Sequence, residues 1–467
     1  MPLSSWSRAA GANEQIRMAV IGMKNRGRSL LAGFSKYVTA ICDCDEHVLN
    51  ERADAFDKKH GTKLAKYADY RKLLESSDID AVAIATPNHT HAIIAIAAAQ
   101  AGKDIYVEKP CSHNVWEGRQ IVNAARNHDR MIQIGTQSRS NEAIRQAIQF
   151  VHDGKLGKLQ YVIATCYNPR KSIGKLAQAL KIASHIDYDL WCGPAAKVDL
   201  YRPQLHYDWH WDFNTGSGDM GNQGVHQMDV ARWFLGEAGL PRRVISIGGR
   251  LGYEDAADTP NTEVTYFDYD VAPLIFETRG LPRSKEAQEK DWPHMMDRYY
   301  GSRIGVVAQC EQGYISYSLD TPPKAFNNDG QVIQEFDKPG DFITAHFNNF
   351  ITGVRSRKLS DLNAEILEGH ISSSLCHLGQ ISYRTGRRAT ANEITQDVAS
   401  QPQLADSFDR MAKHLRANKI DVDSSTLTLG PWLDIDLQNE TITNNPQAAK
   451  LISREYRRPF VVPDLSA

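Results

Sequence analysis

The sequence predicts a doubly wound, parallel-sheet α/β domain followed by an α+β domain built on a largely antiparallel sheet. Three observations carry this. Over the first 140 residues, short apolar runs alternate with stretches of helical spacing, the pattern of β-α-β units. The run Ala81-Val82-Ala83-Ile84-Ala85 is apolar throughout, as are strands buried on both faces of a parallel sheet. From about Asn141 the apolar runs are joined by turns rather than by helices, which points to strands paired side by side.

The first strand is Ile16 to Ile21, and Gly22-Met23-Lys24-Asn25-Arg26-Gly27 is its turn into a helix. Gly22 permits the tight turn and Gly27 permits close helix packing, with an anionic diphosphate on the helix N-terminus. Lys24 stands where G-x-G-x-x-G has its middle glycine. The second strand, Val38 to Cys42, ends on Asp43. That is about 20 residues past the glycines, where an acidic side chain accepts from an adenosine ribose. The alternative for Asp43, a helix cap, is better filled by Asp45. An Asp here favours NAD over NADP, although Lys24 or Arg26 can accommodate a 2′-phosphate.

The strand Ala81 to Ala85 stops at Thr86-Pro87-Asn88, and Asn88 is expected to cap an Ala-rich helix running to about Ala101. That helix carries His91 in its first turn. The strand Ile105 to Val107 ends on Glu108-Lys109-Pro110, and a helix from about Val115 to Asn127 leads to the strand Met131 to Ile134. Together these make a Rossmann domain over residues 14–140. Its expected nucleotide contacts are Gly22, Lys24, Asn25, Arg26, Gly27, Asp43, Thr86, Pro87, Asn88, His91, Glu108 and Lys109.

Lys109 sits at a strand's carboxyl end, where open α/β sheets bind ligands, with Pro110 stopping further regular pairing. Its ammonium can hydrogen-bond a substrate hydroxyl and stabilise the oxyanion that forms as a hydride leaves. A second segment, Gly216 to Asp229, places four glycines (216, 218, 221 and 224) before a helix, so backbone there approaches something closely. His226 near the helix start can take a hydroxyl proton near neutral pH. The competing reading is a hydrogen-bonded packing histidine.

On the glycine turn, Ala85-Thr86-Pro87-Asn88-His89, Glu108-Lys109-Pro110 and Gly224-Val225-His226-Gln227-Met228-Asp229, the chain resembles the glucose-fructose oxidoreductase, inositol dehydrogenase and rhizopine-catabolism family of NAD(P)-dependent oxidoreductases. The resemblance spans nearly the whole chain. It implies that Lys109 contacts both the nicotinamide ribose and the reacting hydroxyl. The family usually has an Asp four residues before the histidine, where this chain has Asn222. Asn222 can orient His226 or hydrogen-bond a sugar but cannot relay a proton, which leaves acid–base work to Lys109 and His226. The resemblance also implies a second domain (141–467) whose sheet face is covered by subunit pairing, giving a homodimer or homotetramer.

Between the catalytic segments lie Tyr167-Asn168-Pro169-Arg170, Trp191 and Leu205-His206-Tyr207-Asp208-Trp209-His210-Trp211-Asp212. Aromatic faces beside polar donors suit a sugar, with its apolar C–H faces and polar edges; Tyr167, Arg170, His210 and Trp211 are the expected substrate contacts. Some of these aromatics are equally explained as core. His206 and His210, four apart, match no recognised metal signature, and no metal is expected.

A net charge of −2 with 24% charged residues gives no basic field for nucleic acid or an anionic membrane. No apolar run reaches the roughly 20 residues a membrane span needs. Seven cysteines, an odd count without C-x-x-C, read as thiols rather than a disulfide framework. The segment 2–12 resembles the small-residue end of an export signal, and the family's exported members travel folded by the twin-arginine route; residues 1–13 are read as such a remnant or as a tail. Periplasmic export and a cytoplasmic location both stay open. The expected chemistry is NAD(P)-dependent hydride transfer at a hydroxyl of a sugar, polyol or glycoside. The alternatives are a glycosidase or lyase that oxidises a ring transiently, a paired reduction and oxidation of two sugars, and a non-catalytic sensor.

Overall fold

A computed structural model describes residues 16–236, 239–336 and 340–466; the segment 2–12 lies outside the described residues. The nucleotide domain runs β1 (Met18–Ile21), α1 (Asn25–Gly33), β2 (Val38–Cys42), α2 (Glu46–His60), β3 (Ala65–Tyr67), α3 (Tyr70–Leu74), β4 (Ala81–Ile84), α4 (Asn88–Gln100), β5 (Asp104–Val107), α5 (Val115–Asn127) and β6 (Ile132–Ile134). The strands form one sheet in the order β3-β2-β1-β4-β5-β6, and every pair is parallel. The strand order reverses between β1 and β4, which opens a crevice at their carboxyl ends.

Both faces of this sheet are covered, as its unbroken apolar strands require. On one face Ile94 of α4 and Ile121 of α5 pack with Val82, Ile105 and Ile132. The other face receives α10 (Phe342–Ser356), which returns from the second half of the chain. Phe347 and Phe350 of α10 lie 4.8 and 5.9 Å from Phe34. Burying one such ring stabilises by about 1.5–3 kcal/mol, so α10 belongs energetically to the nucleotide domain although it follows residue 140.

The second half contributes α6 (Glu142–His152), β7 (Leu159–Cys166), α7 (Tyr188–Cys192), α8 (Val225–Phe234), β8 (Arg243–Gly249), β9 (Thr262–Asp268), β10 (Leu274–Arg279), α9 (Lys285–Asp291), β11 (Ile304–Cys310), β12 (Gly313–Ser318), β13 (Thr321–Asn327) and β14 (Val332–Glu335). After α10 come α11 (Ile366–Arg384), β15 (Arg387–Ala389), α12 (Ala391–Val398), α13 (Pro402–Ala417) and β16 (Leu427–Leu429). The strand order is β14-β13-β12-β11-β7-β10-β9-β8-β16-β15. Along this path the pairing is antiparallel except between β10 and β7. α8 and α11 pack on the inner face through Met228, Phe234 and Leu375 against Phe276 and Val306.

Two expectations change here. The outer face of β7 to β10 needs no partner subunit, because Ile394 of α12 and Leu404, Phe408 and Met411 of α13 cover Ile163, Ile247, Val264 and Ile275. At the far end of the sheet β14 is exposed along its length. The charged stretch after Pro282 carries α9, which Ser284 caps by accepting from the Ala287 N–H. Asn88 is the first residue of α4 rather than its cap, which is Pro87. The C-terminal segment 456–463 packs back on the nucleotide domain, with Phe460 and Val462 in its core.

Candidate active site

The cavity at the carboxyl ends of β1, β2, β4 and β5 has a volume of about 360 Å³. Gly22 has φ +87°, and a Cβ there would fall 2.8 Å from the backbone of Ala85 and Thr86. A Cβ on Gly27 would lie 1.7 Å from the Gly22 carbonyl oxygen. Both positions therefore need glycine, one for conformation and one for close approach. Lys24 takes φ −79° and ψ 162°, ordinary extended backbone, so no glycine is required there. Asp43 accepts from the Met23 N–H at 2.7 Å and the Asp45 N–H at 2.9 Å, which ties the glycine turn to the end of β2. Burial pushes its carboxyl above the usual range, with those two N–H bonds opposing.

The cavity fits a dinucleotide. No side chain caps the N-terminus of α1; the Gly27 N–H donates to the Lys24 carbonyl at 2.8 Å, and the N–H groups of Asn25 and Arg26 ahead of it are left for an anion. The Arg26 Nη2 and Asn88 Nδ2 donors are buried without partners, and both residues line the cavity. Buried donors of this kind call for an acceptor. Arg26 is aimed by its Nε, which donates to Glu108 Oε1 at 2.6 Å.

Across the cavity, Lys109 donates from Nζ to the Asn222 backbone carbonyl. Asn222 thus meets Lys109 through its main chain, a role any residue at 222 can fill. The two nitrogens of His91 lie 2.7 Å from the carbonyl oxygens of Pro110 and Thr86, fixing the turn that carries Lys109. Burial lowers the Lys109 pKa; Glu108 opposes this and Arg26 adds to it. His226 lines the same cavity, its ring held well below the usual imidazole range by burial and then by Lys109. It is therefore neutral at pH 7, with a lone pair to offer.

The helix that carries His226 begins irregularly. A π-turn over Met220–Gly224 precedes α8, and it exists because glycines let it press inward. A Cβ on Gly224 would enter the Phe276 ring at 2.4 Å, and one on Gly221 would lie 2.7 Å from Ser217 Cβ. Such π-turns mark functional sites often enough to note.

The expected substrate contacts separate. His210 lines the cavity, donates from Nδ1 to the Tyr207 carbonyl and stacks on Trp209 at 3.6 Å; burial lowers its pKa to about 3. Tyr167 does not line it: this ring is buried and its hydroxyl donates to Glu277 at 2.6 Å inside the sheet. Arg170 and Trp211 line a neighbouring cleft, where Arg170 is held by Asp219 at 2.7 and 2.8 Å. Trp191, Trp209, Tyr207 and Gln137 line the first cavity; Trp191 and the aromatic cluster of 205–212 are marked by the sequence, whereas nothing in it marks Gln137. His206 accompanies them but pairs with Asp45 at 3.0 Å, and among the described residues no cluster of three metal-ligating side chains occurs. All seven cysteines are free.

Two family models match the chain, an oxidoreductase NAD-binding Rossmann domain over residues 16–136 and the oxidoreductase family's C-terminal alpha/beta domain over 144–287. Levoglucosan dehydrogenase of Pseudarthrobacter phenanthrenivorans is 26% identical over 53% of this chain and 57% of its own length. A glycosyl hydrolase family 109 protein of Saccharopolyspora erythraea is 32% identical over 32% of this chain and 34% of its own. Inositol 2-dehydrogenase of Salmonella typhimurium is 30% identical over 28% and 38%. The matches thus span little more than half the length of these relatives at most. The WlbA dehydrogenase of Bordetella pertussis, solved with NADH and UDP-GlcNAcA, shares the fold at a TM-score of 0.57 and 17% identity, covering 79% of this chain and 97% of its own. Aldose-aldose oxidoreductase of Caulobacter crescentus, complexed with glycerol, does so at 0.56 and 14%, covering 79% and 98%. With both of its domains matched, the chain belongs to the Gfo/Idh/MocA oxidoreductase family.

Proposed function

We propose that this protein is an NAD-dependent oxidoreductase acting on a hydroxyl of a sugar, polyol or glycoside. The observation that carries the reading is that Lys109 and His226 line the same cavity as the glycine turn and Asp43. When bound, NAD supplies a two-electron acceptor. The N-terminus of α1, Arg26 and Asn88 would hold its polar groups, and Asp43 its adenosine ribose. His226, half-buried and neutral, takes the proton of a hydroxyl placed beside it. The Lys109 ammonium stabilises the alkoxide that develops, and the Asn222 carbonyl and His91 keep that ammonium in position. Trp191 and Trp209 offer apolar faces to a sugar ring and exclude water.

A second reading, a glycosidase or lyase in which oxidation of the ring is transient, is favoured by the relatives named as glycosyl hydrolase family 109 proteins, at 32% and 36% identity. The test follows two channels with NAD and a panel of sugars, polyols and aryl glycosides: nicotinamide absorbance, and released aglycone. NADH forming in step with substrate consumed supports the dehydrogenase. Aglycone without net NADH moves the assignment to the glycosidase. Silence in both channels removes both readings. The same proposal includes a homodimer or homotetramer formed through the strands that α12 and α13 leave open; a single-chain mass by light scattering would remove that part.

A further inference from the structure

A second cleft of about 510 Å³ adjoins the cavity and is lined by Arg170, Lys171, Asp208, Trp211 and Trp292 with their neighbours. The 3-10 turn Asp208–Trp211 is the partition. Trp209 and His210 face the first cavity, Asp208 and Trp211 face the second, and Tyr207 lines both. Tyr207 holds φ 72°, a backbone conformation costly for a bulky side chain and sustained only where surroundings enforce it. They do so here: its hydroxyl accepts from Arg170 Nη1 at 3.3 Å and its carbonyl accepts from His210 Nδ1.

The chemistry of the second cleft is specific. The Arg170 guanidinium lies 4.9 Å over Trp211 and the Lys171 ammonium 5.8 Å over Trp292. The Trp292 Nε1 donor is buried without a partner. Asp208 is buried, and among the described residues no hydrogen bond or salt bridge reaches its carboxyl; Arg202 and Arg250 act on it only through space and form their salt bridges with Asp212 and Asp255. Indole faces with a spare N–H donor and a spare carboxyl acceptor suit a ring that carries hydroxyls on its edge and C–H groups on its faces.

We propose that this second cleft seats the second pyranose ring of a glycoside whose first ring lies against Lys109 and His226, so the substrate class is a disaccharide or longer glycoside. This rests on the oxidoreductase reading above. Tyr207 then marks the glycosidic linkage, and Asp208 and Trp292 bind the outer ring.

The test compares kcat/KM of the full chain with NAD for cellobiose, maltose, lactose and trehalose against glucose and galactose. At least one disaccharide is expected to exceed both monosaccharides by about 10-fold, the order one stacked ring with its hydrogen bonds supplies. Asp208→Asn and Trp292→Ala are expected to lower that disaccharide's value far more than the monosaccharides'. Where turnover is measurable, equal values for the two classes, or equal losses in the variants, overturn the inference. A separate readout is the tryptophan fluorescence of the NADH-loaded protein titrated with each disaccharide, in wild type and in Trp292→Phe. A saturable change that Trp292→Phe removes supports the cleft, even if no sugar is oxidised, in which case the oxidoreductase reading fails alone. No such change with any disaccharide overturns the cleft whatever the turnover.

Discussion

The two walls of the active cavity are built from different material. The nucleotide wall consists of strand ends brought level by backbone pairing: Ile21 opposes Cys42 and Ile84, and Ile84 opposes Val107. Gly22, Asp43, Ala85 and Glu108 are therefore in line before any side chain acts. The substrate wall belongs to residues 167–219, whose regular structure is one short helix and one 3-10 turn. Individual side chains clasp it instead. The ring nitrogens of His89 lie 2.9 Å from the Trp191 carbonyl and 3.2 Å from that of Thr215. Arg457 donates to Asp189, and Arg454 donates to Asn214. A wall held by register is set by the fold, whereas a wall held by clasps changes with single residues, which is how one scaffold serves many substrates.

The comparison breaks most readily at the nucleotide wall. Gly27→Ala forces a Cβ into the Gly22 carbonyl and has no flexible neighbour to move. Nucleotide affinity is expected to fall by about 100-fold or more, with lost stability of about 1–3 kcal/mol. Titration with NADH and thermal melting check this, and wild-type affinity would contradict the close-packed turn. Next in size, His226→Ala is expected to lower kcat by about 10²- to 10⁴-fold with nucleotide binding retained. A kcat within threefold or so of wild type would return His226 to a packing role.

At the substrate wall the effects are smaller and fall on KM. Trp209→Ala removes the ring that stacks on His210, and a KM rise of roughly 5- to 15-fold is expected, about 1–1.5 kcal/mol. A larger effect on nucleotide affinity than on KM would mean that the two walls are not separable. Below that in size lies a pH effect on stability. Burial holds His346 at about 4 and His377 at about 3, both under the unfolded value near 6.5. As pH falls below 6.5 the unfolded chain takes up protons that the folded chain refuses, so stability is full above 6.5 and declines toward pH 4. The slope is at most about 1.4 kcal/mol per pH unit for each ring. Denaturant midpoints at pH 7 and pH 5 measure it, and equal midpoints would contradict it.

The same division explains what the sequence makes legible. The nucleotide domain shows in the alternation of apolar strands and helices, and α5 and the cap at Asp45 fall where the pattern puts them, because local spacing decides both. Lys24 is a harmless departure that only the backbone angles explain. The substrate wall has no periodicity to read. Aromatic composition indicates a sugar site, yet whether a ring faces the first cavity, like Trp209, the second cleft, like Trp211, or the sheet interior, like Tyr167, depends on contacts distant in sequence. The covering of the second sheet by α12 and α13 is equally hidden, since amphipathic helices do not announce which face they will cover. The return of α10 to the nucleotide sheet is a tertiary choice of the same kind.

The measurement that bears most directly on the whole account is single turnover of Lys109→Ala against wild type, with NAD bound and on the best substrate from the two-channel panel, beside a nucleotide titration of both proteins. The account predicts a rate lower by about 10³-fold, with nucleotide affinity changed by no more than about 10-fold. A Lys109→Ala protein that turns over at the wild-type rate would contradict the assignment of this cavity as the site of chemistry.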